Sequence, residues 1–228
     1  HMGREPVVAS DELFIDYSDR GSIISENTDH LYEIFGNCEY LINIPTLKGH
    51  RNAGVTMFAK NHFGSHNRDN AFHLHDGLVD VDGTFGNQEE RFGYGLYRVQ
   101  VDLMGHYLLH GKNLFYLMDA LWSSGHEVNP PEKWLSEPFN NDWSSSIFIS
   151  QDPVAIESVG YDFLTTEYTE NNHPDEFFAQ MPGSDDYLHQ SADSLNWPEG
   201  IEYDPENDGT LLSSLGVHEH WNNAEEKL

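Results

Sequence analysis

The sequence predicts an α/β fold: an open, mainly parallel sheet flanked by helices, with a loop-rich acidic C-terminal tail. Three observations carry that expectation. Short apolar runs at residues 40–44, 113–121 and 145–149 have the length and composition of buried strands. Segments of helical character stand between and after them. From Thr169 onward the composition turns to Asp, Glu, Asn, His, Pro and Gly, which suits loops packed on an existing core.

In chain order, residues 4–26 are of mixed polarity and read as irregular, with a short edge strand around Leu13, Phe14 and Ile15. Asn27 or Thr28 can cap a helix through Phe35, with Gly36 as its stop. The run 40–44 reads as a strand ended by Pro45. Residues 51–63 read as the start of a helix and 65–97 as a long Gly- and Asn-rich loop. A helix over 98–110 and the two further strands follow. Asp152 and Pro153 then open a helix to about Tyr168, since Asp accepts from orphan amides and Pro fits a first turn. The expected organisation is one α/β domain over 4–168 and an extension, 169–228, packed on it.

The charge balance excludes whole classes of partner. Eleven Lys and Arg stand against 39 Asp and Glu, a formal net charge of -28 in 228 residues. Nucleic acid is excluded, because phosphate backbones are held by clustered basic side chains. No run approaches the ~20 apolar residues of a membrane span. Such acidity is best tolerated with salt or divalent cations nearby. Cys38 is the single cysteine, so neither an internal disulfide nor an iron–sulfur cluster is expected, and either side of a membrane is permitted. His1, Met2 and Gly3 look like a cloning remnant. There is no signal of oligomeric state.

The chemistry concentrates in residues 41–77. Lys48 and His50 follow the first strand; Lys60, Asn61, His62 and His66 come next; His73 and His75 close the stretch. In an open α/β sheet this is where ligands bind, beyond the carboxyl ends of strands. His62 and His66 share i,i+4 spacing, and His73 and His75 would share a face of an extended segment. These four are the candidate ligands for one divalent metal ion. Asp102, His106 and His110 fit an ordinary solvated helical stripe. Residues 204–209 imitate the opening of a calcium loop, but the position that needs a bidentate Glu holds Leu215, so an acidic turn is expected. His218, Glu219 and His220 form a weaker cluster near the end. No phosphate-cradling glycine loop and no serine-nucleophile elbow is present, so no nucleotide cofactor is expected.

The segments LINIPTLKGH, VTMFAKNHFG, LHDG, NLFYLMDAL and SQDPVAIES together resemble domain-of-unknown-function family 362 over roughly residues 38–168. The family pattern falls on Lys48, His50, Thr56, Lys60, Asn61, Gly64, His75, Asp119, Asp152 and Pro153. Glu157 stands where the family often has Asp. The cysteine module that some members carry is missing. Only about 40 residues precede the Pro-x-Leu-Lys strand, where the family usually has a sizeable α/β segment, so the chain is expected to be a fragment, a processed product or a sequence with segments omitted. The tail SLGVHEHWNN resembles a Bacteroidota branch encoded near polysaccharide-degrading enzymes. That resemblance implies a periplasmic or secreted role on acidic sugars.

With the acidic sugar that the resemblance implies as substrate, the lysines and histidines favour an enzyme on a carboxylated sugar or oligosaccharide, a lyase or dehydratase abstracting a proton α to the carboxylate. That reaction needs the carboxylate neutralised and a base within reach. Lys48 and Lys60 supply charge, His50 or His75 the base, and Thr56, Asn61 and Asp152 substrate contacts; His62, His66, His73 and His75 supply the metal if there is one. Two alternatives use the same residues: a metal-dependent hydrolase, and a non-catalytic carbohydrate- or metal-binding module. Trp122, Trp134, Trp143 and Trp197 could serve the latter by stacking on sugars.

Overall fold

A computed structural model describes residues 7–18, 28–68, 70–79 and 97–218. Most of the stretch read as a glycine-rich loop, and all of the C-terminal cluster beyond His218, lie outside these residues.

The chain opens with β1 (Ala9–Asp16), which pairs antiparallel with β2 (Thr28–Tyr32). The second strand corrects the helix expected from residue 28. Asp29 and Leu31 point inward while Thr28 and His30 stay exposed, a two-residue period that only a strand satisfies. Thr28 thus begins a strand, Asn27 lies outside the described residues, and a short α1 (Glu33–Asn37) follows.

The main sheet centres on β6 (Asn113–Ser124). Along one side of it run β3 (Leu41–Asn43) and β4 (Thr46–His50), both parallel to it. Strand β3 stops at Asn43, just before Pro45 as expected, and β4 begins at Thr46. Proline lacks only the donor, and its carbonyl accepts from the Asp119 amide at 2.9 Å. The antiparallel strands β5 (Gly54–Thr56) and β7 (Ser146–Ser150) flank β4 and β6, so three of the five strands share one direction.

The helix expected over 51–63 is a hairpin first. A turn leads into β5, with Gly54 at φ +82°, and only then comes α2 (Phe58–Asn61), extended by a 3-10 turn over His62–Gly64. A further short helix, α3 (Phe72–His75), lies in the stretch read as loop. The helix read over 98–110 is shorter: α4 spans Val99–Gly105. At Gly105 a Cβ would lie 2.2 Å from the Tyr203 ring, so the C-terminal segment packs where a longer side chain would project.

The helix α5 (Pro153–Glu167) starts as expected, with Asp152 Oδ1 accepting from the Ala155 amide at 2.8 Å. The extension is less loop-like than its composition suggests. It forms α6 (Asp186–Ala192), and Tyr187, Leu188, Tyr203 and Leu215 join the main core.

That core lies on one face of the sheet, where Leu47, Tyr116, Met118 and Ala120 meet α2, α4, α5 and α6. Full burial of a side chain such as Leu47 contributes about 1.5–3 kcal/mol. A second cluster, built on Ile15, Leu31, Phe63, Leu74 and Leu109, joins the β1–β2 pair to the segment that carries the histidines. The opposite face of the sheet presents Ile42, Ile147 and Ile149, each about half exposed or more.

Candidate functional site

Strand β4 places Lys48 and His50 two residues apart. Lys48 lies opposite Thr56 across the β4–β5 pairing, and α2 follows at once with Lys60. Helix α3 brings His75 back over this hairpin. Lys60 Nζ stands 3.2 Å from His75 Nε2 and 4.4 Å from the centre of the Phe63 ring. The His50 and His75 rings are 5.6 Å apart. Lys48, His50, Lys60 and His75, read from the sequence as catalytic, therefore lie together, with Thr56, read as a substrate contact, across the strand pairing from Lys48.

Their protonation follows from their partners. His75 Nδ1 is 2.7 Å from the Ala71 carbonyl, which can only accept, so Nδ1 carries the proton and Nε2 presents a lone pair to the Lys60 ammonium. Burial, then the Lys60 charge, holds the His75 pKa below its ordinary value. His50 is arranged the other way. Its Nδ1 accepts from the Asn52 and Ala53 amides at 3.1 and 3.3 Å, and burial and the nearby cations bring its pKa down to about 2. His50 stays neutral with Nε2–H outward, a donor rather than a base. Burial lowers Lys60 to about 8, with Glu127 opposing the shift. Glu127 also pairs with Arg51 at 3.2 Å and with the Arg51 amide at 3.1 Å.

Glu157 sets the position of this lysine. Its carboxyl, fully buried, accepts from the Ala59 amide at 2.6 Å and from the Tyr187 hydroxyl. It anchors the first turn of α2 from outside, one residue before Lys60. Burial raises it to about 7, against the hydrogen bonds that favour the carboxylate. Sequence reasoning noted Glu157 only as a departure from Asp; the extra methylene is the reach from α5 to the α2 backbone.

Other predicted residues take separate positions. Asn61 and His62 face a different groove: Asn61 donates to Asn43 Oδ1 at 2.7 Å, Asn43 meets His62 Nε2 at 3.0 Å, and His62 Nδ1 meets Ser65 Oγ. Burial lowers His62 to about 4. Asp152 has both oxygens on backbone amides, Ala155 at 2.8 Å and Val217 at 2.9 Å, which makes it a cap and a fastening for the C-terminal segment. His66 and His73 meet Asp29, so the four candidate metal ligands fall at three places. Asp29 was hidden by the helix expected at that position.

The stripe of Asp102, His106 and His110 is not one helical face, since α4 ends at Gly105. Asp102 is buried and accepts from Ser18 and Tyr203, while His106 and His110 meet the Phe14 carbonyl and the Tyr116 hydroxyl. A cavity of about 800 Å³ lies here, lined by Tyr17, Asp102, Tyr107 and Tyr203 among others. It is roomy, but its central carboxylate is already hydrogen-bonded, and burial pushes its Tyr17 and Tyr203 hydroxyls up and His106 down; the paired ammonium and imidazole lie at Lys60 and His75. Residues 204–209 form the expected acidic turn, with the Asp204 carboxylate accepting from the Asp208 and Gly209 amides. Trp134 is a buried packing anchor, whereas Trp122 stands exposed on β6.

No helix among the described residues is long and apolar enough to cross a membrane. No curated protein and no solved structure matches the chain. One family model does match, over residues 6–162, and so takes in the β1–β2 pair as well as the motif-bearing segment from which the resemblance was read. On that match the chain belongs to the family described as domain of unknown function 362.

Proposed function

We propose that the Lys48–His50–Lys60–His75 cluster binds the carboxylate of a small anionic molecule, a uronic acid or an oligosaccharide containing one, and removes its α-proton in a lyase or dehydratase reaction. The observation that carries this reading is the Lys60–His75 contact. A base whose lone pair is held by a neighbouring ammonium, with its other nitrogen fixed by a carbonyl, is oriented for proton transfer.

Each residue has a distinct part. Lys48 and Lys60 neutralise the substrate carboxylate, which lowers the cost of charge developing on it as the proton leaves. When the carboxylate draws the Lys60 ammonium away, His75 Nε2 is released as the base. His50, held neutral, donates from Nε2. Lys48 and Lys60 are two of the chain's 11 basic residues within one short segment, and Arg51 between them is paired with Glu127, so the two lysines give an anion local attraction despite the net charge of -28.

The test is a screen of uronic acid oligosaccharides, following the ultraviolet absorbance of the unsaturated product of β-elimination. Turnover abolished in His75→Gln with binding retained supports the reading. Equal, graded loss of affinity in Lys48→Met, Lys60→Met and His75→Gln without turnover would make the chain a carbohydrate-binding module instead.

A further inference from the structure

We propose that Asp29, His66 and His73 hold one divalent transition-metal ion, zinc being the best match to the donors, which ties β2 to the segment carrying His75. This inference stands apart from the proton-abstraction reading and uses none of its residues.

All three side chains are buried, and one ligand atom from each lies within 4.8 Å of the others. His73 Nε2 is 2.7 Å and His66 Nε2 3.6 Å from the same oxygen, Asp29 Oδ2. Tetrahedral zinc, with bonds of about 2.0–2.1 Å, sets neighbouring ligand atoms about 3.3 Å apart. The two distances lie on either side of that value.

The hydrogen bonding points the same way. His66 Nε2 is buried, faces Asp29 and has no hydrogen-bond partner; His66 Nδ1 accepts from the Arg68 amide at 3.2 Å, so a metal bond at Nε2 moves the ring proton to Nδ1 and breaks that contact. A buried nitrogen left so costs about 1–3 kcal/mol, which a metal bond would remove. Asp29 also has the support expected of a ligating carboxylate. Its other oxygen, Oδ1, accepts from Arg68 Nε at 2.6 Å, and Arg68 further holds the Thr28 carbonyl. The Tyr17 hydroxyl donates to Oδ2, the oxygen that His73 Nε2 also meets, at 3.0 Å. Arg68 adds an unfavourable positive charge, but its side chain is 29% exposed and partly solvated. Two imidazoles and one carboxylate select a borderline metal over magnesium or calcium, which prefer all-oxygen sets.

The experiment is a Co²⁺ titration of chelator-treated protein in excess Mg²⁺, which occupies the acidic surface without competing for imidazole. The expected result is one Co²⁺ per chain, the strong visible absorption of tetrahedral coordination, and a raised melting temperature. His66→Asn and His73→Asn should each weaken binding by about tenfold or more and remove the absorption, while His62→Asn keeps both. Failure of the wild-type chain to take up one equivalent would overturn the proposal, as would absorption unchanged in His66→Asn and His73→Asn. Either result leaves the elimination assay unaffected, so the two readings fail separately.

Discussion

Lys60 and His75 share a single proton-bearing contact: the ammonium is 3.2 Å from an imidazole nitrogen whose ring is already fixed by the Ala71 carbonyl. The lysine comes from the start of a helix after β5 and the histidine from the end of α3. Removing the Lys60 charge therefore changes His75. In Lys60→Met, loss of the Coulombic repulsion moves the His75 midpoint up toward 6.5, read by NMR titration of its ring protons.

Binding of an anion at this cluster should depend on pH through Lys60, whose pKa is lowered to about 8. Below that value the ammonium is present and attracts a carboxylate. As the pH rises through 8 the charge is lost, so the dissociation constant for a uronic acid should increase above pH 8. In Lys60→Arg, which remains charged, the affinity should stay level over the same range; isothermal titration calorimetry at several pH values distinguishes the two.

The raised pKa of Glu157 makes a stability prediction with a definite sign. In the unfolded chain the carboxyl ionises near 4.5, whereas in the folded chain it holds its proton to about 7. Its contribution is therefore most favourable below 4.5 and is lost as the pH climbs toward 7, on the order of 3 kcal/mol over that interval. Glu157→Gln keeps an acceptor for the Ala59 amide and should flatten this part of the urea-unfolding profile. Glu157→Ala leaves that amide and the Tyr187 hydroxyl unpaired and should cost roughly 3 kcal/mol.

Asp152 offers a control away from the cluster. Asp152→Ala removes acceptors from the first turn of α5 and from Val217, and should lower stability by about 1–2 kcal/mol in urea unfolding. On the proposed reading, elimination per folded molecule should not change.

Gly49 marks the closest approach of β4 to the loop after β6. A Cβ there would meet the Gly125 carbonyl oxygen at 2.0 Å, and both partners are backbone. Gly49→Ala should therefore cost about 1–3 kcal/mol, seen as a lowered melting temperature. It should also displace His50, its neighbour in the strand.

Much of the fold was legible because its signals are local. The apolar runs of β3, β6 and β7 and the Asp-Pro start of α5 need no distant partner to be recognised. The region from Thr28 to Phe35 misled because a capping residue looks the same before a helix as in a strand. The burial of Asp29 decides between them, and its partners, Arg68, His66 and His73, are some 40 residues away. The same remoteness concealed the division of the histidines. Spacing placed His62 with His66 and His73 with His75, yet the chain folds His66 and His73 together and turns the other two elsewhere. Lys48, His50, Lys60 and His75 do lie near one another, since the hairpin and two short helices bring a contiguous stretch back on itself.

The uncovered face of the main sheet bears on how the protein behaves in bulk solution. Ile149 lies opposite Leu117 and Ile147 opposite Asp119, with Ile42 beside Phe115, giving a flat, largely aliphatic surface. Mutual repulsion at a net charge of -28 holds such surfaces apart. Acidification toward the isoelectric point near 4.5 withdraws that protection, and concentrated salt screens it. The chain's colloidal stability is thus maintained by its carboxylates, and turbidity should appear at mildly acidic pH while the native core is still intact.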